Sequence, residues 1–171
     1  MKQLLLLLLL LLLFSTNTSF GQLRFELGGE TGLALKDGSH DQIGWGLSLT
    51  AELPINGNTS TTLGTGFGRY ISTHGIGQTD VTPMKLGVRK YLTSDDEAPE
   101  GFFIQFQSGI LYYKSGAVHS NATKLDKISP FAGISLGWMN GPKLAPSFSY
   151  SWNKYSDYWH QYISFKLSAT F

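Results

Sequence analysis

The chain has 171 residues, which is enough for one domain, and a formal net charge of +1. It contains no cysteine, which excludes a disulfide framework and the attachment of a lipid to a cysteine. Its acidic and basic residues nearly balance, which argues against nucleic acid as a partner because such binding needs a basic excess.

The first predicted element is a secretory signal peptide. Lys2 precedes an unbroken apolar run from Leu4 to Phe14, which is too short to span a bilayer as a helix because that needs about 20 residues. Ser19 and Gly21 are the small residues expected just before a cleavage site. We therefore predict a signal peptide over residues 1–21, followed by a formally neutral domain over residues 22–171.

Two-residue alternation of apolar and polar side chains runs through this domain and predicts β-strands. The pieces between the alternating segments carry the Gly, Asn, Asp and Pro that are typical of turns. We predict eight strands, over Gln22–Leu35, Ile43–Ile55, Thr61–Ser72, Val81–Thr93, Gly101–Ser115, Ile128–Met139, Ala145–Tyr155 and Gln161–Phe171.

The two faces of these strands differ in character. One face is apolar, as in the run Ile43, Trp45, Leu47, and the other holds most of the strand charges and nearly all the strand glycines. The interior of an eight-stranded barrel is just wide enough for side chains to fill, so small residues belong on its concave side. The charged face is therefore predicted to line the inside, which leaves the apolar face toward lipid.

A bilayer requires a closed barrel, since an open sheet edge would leave backbone groups unpaired in hydrocarbon. We therefore predict an all-β fold, an eight-stranded antiparallel up-and-down transmembrane β-barrel whose last strand pairs with the first. An even number of strands puts both termini on one side, which we take as the periplasmic side. The loops near residues 36–42, 73–80, 116–127 and 156–160 then face outward.

The predicted lumen contains a nearly balanced set of charges: Arg24, Glu26, Glu30, Glu52, Lys85, Arg89 and Lys166. Closure of the barrel should bring Lys166 toward Glu26 or Glu30, since buried charges must be paired. Bulky rings are predicted to fill much of the remaining space: Tyr70, Tyr91, Phe103, Tyr113, Phe131 and Tyr162. These features favour a salt-bridged, side-chain-filled lumen over an ion path or gate.

Three basic residues interrupt the apolar face at the predicted outer ends of strands. Arg69, Lys114 and Lys154 form our candidate contact with lipopolysaccharide, whose phosphates would accept charge-assisted hydrogen bonds. The alternative is ordinary snorkelling of long basic side chains at the interface. Lys90, at the opposite end of its strand, fits snorkelling better.

The chain ends in Ile163-Ser164-Phe165-Lys166-Leu167-Ser168-Ala169-Thr170-Phe171. With the signal peptide and the eight alternating segments, this ending resembles the small eight-stranded outer-membrane barrels, OmpA/OmpX-like in the broad sense. The stretches MKLGVRKYL and GFFIQFQSGILYY also resemble β-barrel domains of Bacteroidetes-type outer membranes. The resemblance implies a place in the Gram-negative outer membrane. It also implies an assembly signal read by the barrel-assembly machinery, formed here by Ile163, Phe165, Leu167 and Phe171.

Catalytic and metal-binding patterns are weak. His119-Ser120-Asn121 is similar to the His-x-Ser-Asn arrangement of lipid A deacylase barrels but lacks the intervening residue. Adjacent strand residues point to opposite faces, so this His and Ser would diverge. The four histidines fall in four different predicted loops: His40, His74, His119 and His160. We predict no catalytic residue, no metal site and no cofactor.

The sequence therefore favours an integral outer-membrane barrel with a structural or surface-interaction role and no catalysis. The predicted partners are outer-membrane lipid, lipopolysaccharide, the barrel-assembly machinery and an extracellular protein or ligand at the loops. Three alternatives stay open at this point. They are a narrow, porin-like pore for ions or small solutes, a lipid-modifying outer-membrane enzyme, and a soluble, secreted lipocalin-like binding barrel with its apolar face inside.

Overall fold

The computed structural model describes residues 23–36, 42–72, 77–92, 101–117, 125–139, 144–155 and 158–171. The predicted signal peptide lies outside these residues, as do most of the loops. The described chain forms eight strands: β1 (Arg24–Lys36), β2 (Gln42–Asn56), β3 (Thr59–Ser72), β4 (Gly77–Tyr91), β5 (Gly101–Ala117), β6 (Leu125–Met139), β7 (Ala145–Tyr155) and β8 (Tyr158–Thr170). No helix among the described residues is long and apolar enough to cross a membrane.

The sheet is a closed antiparallel barrel in which each strand pairs with its neighbours in sequence. β8 pairs with β1 from the Glu26–Thr170 pair to the Lys36–His160 pair. At the end of this seam the Phe25 N–H donates to the Phe171 carbonyl at 3.2 Å, and the Phe171 N–H donates to the Phe25 carbonyl at 2.9 Å. The up-and-down barrel predicted from the alternation is confirmed, and its closure leaves no free sheet edge along this seam.

The apolar face points outward all round the barrel. Leu63, Phe106 and Phe148 are each more than 60% exposed. On the inner face, Glu52 and Met139 are fully buried. The prediction of an apolar exterior is confirmed, and the alternative of a soluble barrel with leucines and tryptophans inside is wrong because the structure puts these side chains outside.

Hydroxyl groups on this apolar exterior bond to the barrel's own backbone. Thr31 Oγ1 donates to the Gly44 carbonyl at 3.1 Å, Thr65 Oγ1 to the Pro83 carbonyl at 3.0 Å, and Thr61 Oγ1 to the Leu53 carbonyl at 3.3 Å. Each bond runs to a neighbouring strand. In hydrocarbon a polar group has no water to bond with, so these internal bonds suit a lipid-facing surface.

Inward-facing glycines allow the strands to curve around so narrow a lumen. A Cβ added at Gly109 would overlap the carbonyl oxygen of Met84 on the adjacent strand, which cannot move without disturbing the sheet. Gly29 is the outward-facing exception, and a Cβ added there would meet nothing within 4 Å. The difference follows from curvature, since side chains converge on the concave side and diverge on the convex side.

The strand ends differ from the prediction mainly on the outer side. β4 begins at Gly77 rather than at Val81, and β8 begins at Tyr158 rather than at Gln161. Gln78, Thr79 and Asp80 have the composition of a loop, but they pair with β5 because backbone pairing beyond the hydrocarbon tolerates polar side chains. On the opposite side, only Gly57 and Asn58 separate β2 from β3, so the predicted turn over residues 56–60 is shorter than expected.

Candidate functional sites in the lumen and at the rim

Arg89 is the centre of a buried ionic cluster in the half of the lumen next to the first and last described residues, which is the predicted periplasmic half. Its Nη1 pairs with Glu26 Oε1 and lies 2.8 Å from Glu52 Oε2. Its Nε and Nη2 donate to Gln105 Oε1 at 3.1 and 2.8 Å. One planar guanidinium thus joins strands β1, β2 and β5 to its own strand β4, which is a geometry that a lysine could not reproduce.

Neighbouring side chains complete this cluster. Tyr91 Oη donates to Glu52 Oε1 at 2.8 Å, and Lys166 Nζ lies 3.3 Å from Glu26 Oε2. The Arg89 guanidinium also lies over the Phe103 ring, 4.3 Å from its centroid. Two carboxylates therefore face two cations, which is the balance that buried charges require. We call Glu26, Glu52, Arg89, Tyr91, Gln105 and Lys166 the ionic cluster.

An aromatic cluster occupies the outer half of the lumen. Its buried members are Ala34, Tyr70, Val81, Leu111, Tyr113 and Phe131, with Tyr162 packed against them. Tyr70 and Tyr162 meet edge to face with centroids 5.3 Å apart, and the hydroxyl oxygens of Tyr113 and Tyr162 lie 3.3 Å apart. Four of the six inward-pointing rings predicted from the sequence thus pack together and narrow the outer end of the barrel, whereas Tyr91 and Phe103 pack against each other in the other half of the lumen.

A small polar chamber separates the two clusters. Two adjoining cavities of about 50 and 30 Å³ share the lining residues Glu30, Lys85, Gln107 and Ser149. Such volumes hold a few water molecules. Within the described part of the chain, Glu30 and Lys85 form no ion pair with each other or with the ionic cluster.

The structure therefore divides the predicted lumen charges into groups. It brings together Glu26, Glu52, Arg89 and Lys166. It places Glu30 and Lys85 on the chamber, and Arg24 opposite Glu52 in the strand register. Sequence reasoning did not identify Tyr91 and Gln105 as bonding partners of the cluster, although the two-residue alternation places both on the inner face. Their pairing depends on which strands face each other across the lumen, and alternation does not specify this.

At the outer rim, Arg69 is paired with a residue that sequence reasoning missed. Arg69 Nε and Nη2 donate to Asp80 Oδ1 and Oδ2 at 2.7 and 3.1 Å. Lys114 is exposed and lies directly across from Asp80 in the β4–β5 register. The sequence signal that could have identified Asp80 is its parity, which matches that of the outward-facing Met84 and Leu86. The predicted loop over residues 73–80 instead includes Asp80. Lys154 lies in β7, and its side chain is outside the described part of the chain.

The lipid-facing charges on β4 mark the height of the apolar band. Asp80 and Lys90 share the outward parity, and the outward residues between them are Thr82, Met84, Leu86 and Val88. Ten residues span about 34 Å along a strand at ~3.4 Å per residue. At a tilt of ~40° this is about 26 Å across the membrane, close to the band of ~25 Å typical of outer-membrane barrels.

The residues of the predicted assembly signal lie along the outer face of the last strand. Ile163, Phe165 and Leu167 are all exposed, and Phe171 is 76% exposed. Their side chains are thus available to another surface, while the backbone of this strand closes the barrel.

The weaker chemical candidates lie largely outside the described residues. This applies to the His119-Ser120-Asn121 segment, to His40 and His74, and to the side chain of His160. The described residues contain no group of three or more His, Asp or Glu side chains that could hold a metal ion.

Comparison with solved structures finds the same architecture. Ail, the attachment invasion locus protein of Yersinia pestis, matches with a TM-score of 0.67 at 14% identity, covering 87% of this chain and 97% of Ail. The N-terminal β-barrel domain of Pseudomonas aeruginosa OprF matches with a TM-score of 0.61 at 12% identity, covering 88% of this chain and all of that domain. The chain has the fold of the small eight-stranded outer-membrane β-barrels.

Neisserial surface protein A also matches, with a TM-score of 0.58 at 9% identity over 87% of this chain and 97% of that protein. The predicted resemblance to small outer-membrane barrels is therefore confirmed for the fold. No protein-family model matches the sequence. No curated protein matches it either.

Proposed function

We propose that this protein is an integral outer-membrane β-barrel that acts through its surface, with a lumen closed by its own side chains and no catalytic role. The observation that carries the proposal is the pairing of an apolar exterior with a filled interior. The exterior band has the height of a bilayer core, and the interior is closed at one end by the ionic cluster and at the other by the aromatic cluster.

Two measurements test this function. The first compares the gel mobility of membrane-extracted protein before and after boiling in SDS, since closed outer-membrane barrels commonly resist SDS until they are heated. We expect a heat-dependent shift and recovery in the membrane fraction. The second measures single-channel conductance in planar bilayers, where we expect no steps above background because two side-chain clusters block the lumen. A soluble, unshifted protein or a steadily open channel would overturn the proposal.

We place the surface role at the outer end of the barrel, where the predicted loops and the charged residues Arg69, Asp80 and Lys114 lie. Ail has also been crystallised in complex with the heparin analogue sucrose octasulfate, with a TM-score of 0.62 at 13% identity to this chain. For the present protein we propose an extracellular macromolecule or ligand at the loops. Binding of labelled protein-containing vesicles to candidate ligands, compared with empty vesicles, tests this assignment.

A narrow pore is the second candidate, and the chamber is the observation that favours it. Glu30 and Lys85 line a polar space that already interrupts the packing of the lumen. A path for ions would require both flanking clusters to open. Discrete conductance steps in the unaltered protein would select this candidate over the closed barrel.

Mass spectrometry of lipid A tests the alternative that this protein is a lipid-modifying enzyme. Lipid A from cells with and without the protein should show the same masses in mass spectra, because the proposed role includes no catalysis. The loss of an acyl chain only in cells that contain the protein would contradict this role.

A further inference from the structure

We propose that Arg69 and Lys114 bind phosphate groups of lipopolysaccharide at the outer rim and that Asp80, between them, weakens this binding. The proposal rests on the proposed function, because it requires this end of the barrel to lie in the outer leaflet. It is more specific than the contact predicted from the three basic residues alone, since it assigns opposite effects to neighbouring residues.

Arg69 is held in place but keeps donors for a second acceptor. Its Nε and Nη2 form a two-pronged pair with the Asp80 carboxylate, and Gln78 Nε2 donates to the same carboxylate at 3.3 Å. A guanidinium carries five N–H donors in a fixed plane, so two bonds to Asp80 leave the Nη1 edge directed elsewhere. The Arg69 side chain is 37% exposed, which leaves it open to a lipid headgroup.

Lys114 supplies the second cation of this site. Arg69, Asp80 and Lys114 are paired in register across three adjacent strands, so they form one row on the outer face. Neighbouring strands are about 4.8 Å apart, which places the two basic residues about 10 Å from each other with the carboxylate between them. Asp126 on β6 is the register partner of Lys114, so the row extended to β6 holds two cations and two carboxylates. A phosphate therefore competes with carboxylates for these cations, and it accepts strong hydrogen bonds from both kinds of cation.

The row lies at the level where a lipid phosphate is expected. Toward the other end of β4, the next outward residues after Thr82 are Met84 and Leu86, which belong to the apolar band. On the other side of Arg69, Trp45 is its register partner in β2 and is exposed. Tryptophan favours the headgroup zone of a membrane. The row therefore lies near the outer boundary of the hydrocarbon, one outward position short of the exposed Ile43 and Ile71.

Asp80 has two opposing effects on a phosphate bound here. It orders the Arg69 side chain, which favours binding, and it places a negative charge beside the phosphate, which opposes binding. At an interface of intermediate dielectric constant, repulsion between neighbouring like charges exceeds the benefit of ordering one side chain. Asp80 should therefore limit the affinity of the site for lipopolysaccharide.

The test measures lipid A retained by the barrel after purification in mild detergent, quantified by mass spectrometry per mole of protein. We expect Arg69→Gln and Lys114→Gln each to lower retention severalfold and Asp80→Asn to raise it. Arg69→Lys keeps the charge and should retain most of the lipid. Lys90→Gln is the matched control, because Lys90 interrupts the same apolar face at the opposite end of the barrel, and it should leave retention unchanged.

Three outcomes would overturn the proposal. The first is an equal loss for Lys90→Gln, and the second is a loss for Asp80→Asn, which would indicate that the row only fastens β3 to β4. The third is equal retention of phosphatidylglycerol and lipopolysaccharide from mixed vesicles of matched phosphate content, which would make the site one for phospholipid. A heat-dependent gel shift in every variant shows that the barrel has folded. Absence of that shift in the unaltered protein would instead contradict the proposed function.

Discussion

Arg89 illustrates how a single side chain can organise the interior of this barrel. It is almost fully buried and contacts two carboxylates and a glutamine on three other strands. Removal of one member of a buried ion pair costs more than the pair contributes, because the remaining charge keeps its desolvation penalty. Arg89 thus offsets both the desolvation penalty of burying Glu26 and Glu52 and the repulsion between their carboxylates.

The first prediction concerns this residue. Arg89→Met should destabilise the folded barrel by about 3–5 kcal/mol, since it leaves two buried carboxylates without their shared cation. Urea unfolding of the protein in lipid vesicles measures the change. Lys85→Met is the matched control, because Lys85 lines the chamber on the same strand and forms no ion pair with the described residues. An equal effect of both substitutions would show that the ionic cluster has no special role.

At the scale of the strands, residue size follows curvature. Inward positions carry the glycines that approach neighbouring backbone, and outward positions carry large apolar side chains. The same parity places charge inside and apolar groups outside, so a shift of register by one residue would exchange the two faces. The register of the eight strands is therefore strongly specified by their side-chain pattern.

The second prediction compares two glycines of opposite parity. Gly109→Val should destabilise the barrel by about 1–3 kcal/mol or prevent its folding, because the added carbons would overlap the Met84 carbonyl. Gly29→Val should be tolerated, since a Cβ there meets nothing within 4 Å and β-branched residues suit strands. The heat-dependent gel shift after refolding into detergent gives the readout. If both variants fold equally well, curvature does not explain the glycine pattern.

The third prediction belongs to the last strand. Phe171→Ala should lower the amount of barrel assembled in cells but change stability little after refolding in vitro. The reason is that the Phe171 backbone closes the seam while its side chain is largely exposed. Cell fractionation and urea unfolding together separate the two effects. Phe106→Ala, which truncates an exposed ring on β5, is the control, and an equal loss of assembly would argue against a signal in the last strand.

On the scale of the whole molecule, the barrel has a chamber with a different kind of closure at each end. The predicted periplasmic end is closed by the ionic cluster together with the buried Phe103, Met139 and Ala145, and the predicted outer end by packed rings without an ion pair among them. These closures act in series along one axis. Opening one of them should therefore leave the path blocked by the other.

The fourth prediction follows from this arrangement. Tyr70→Ala with Tyr162→Ala should enlarge the outer end but produce no conductance, because the ionic cluster still blocks the lumen. Adding Arg89→Ser, Glu52→Ser, Tyr91→Ala and Phe103→Ala removes one charge of each sign and the two rings packed beside them, and it leaves the Glu26–Lys166 pair. This combined variant should conduct. Planar-bilayer recordings provide the measurement. Conductance in the tyrosine double variant alone would show that the two closures do not act in series.

The sequence by itself determined the number of strands, the parity of each and the choice of the charged face as the interior. Those features are local, because a period of two and the size of each side chain are properties of the strand itself. The sequence also predicted the approach of Lys166 to the acidic residues of β1, since closure of the barrel requires that seam.

Only the tertiary structure decided which inner side chains bond to one another. Arg89 meets Glu26 and Glu52 rather than Glu30 because strand stagger sets which residues share a level across the lumen. It also decided that Asp80 belongs to a strand and pairs with Arg69, although its neighbours have the composition of a loop. Such contacts depend on the register between paired strands and on which strands face each other across the lumen, and no alternation within one strand encodes either.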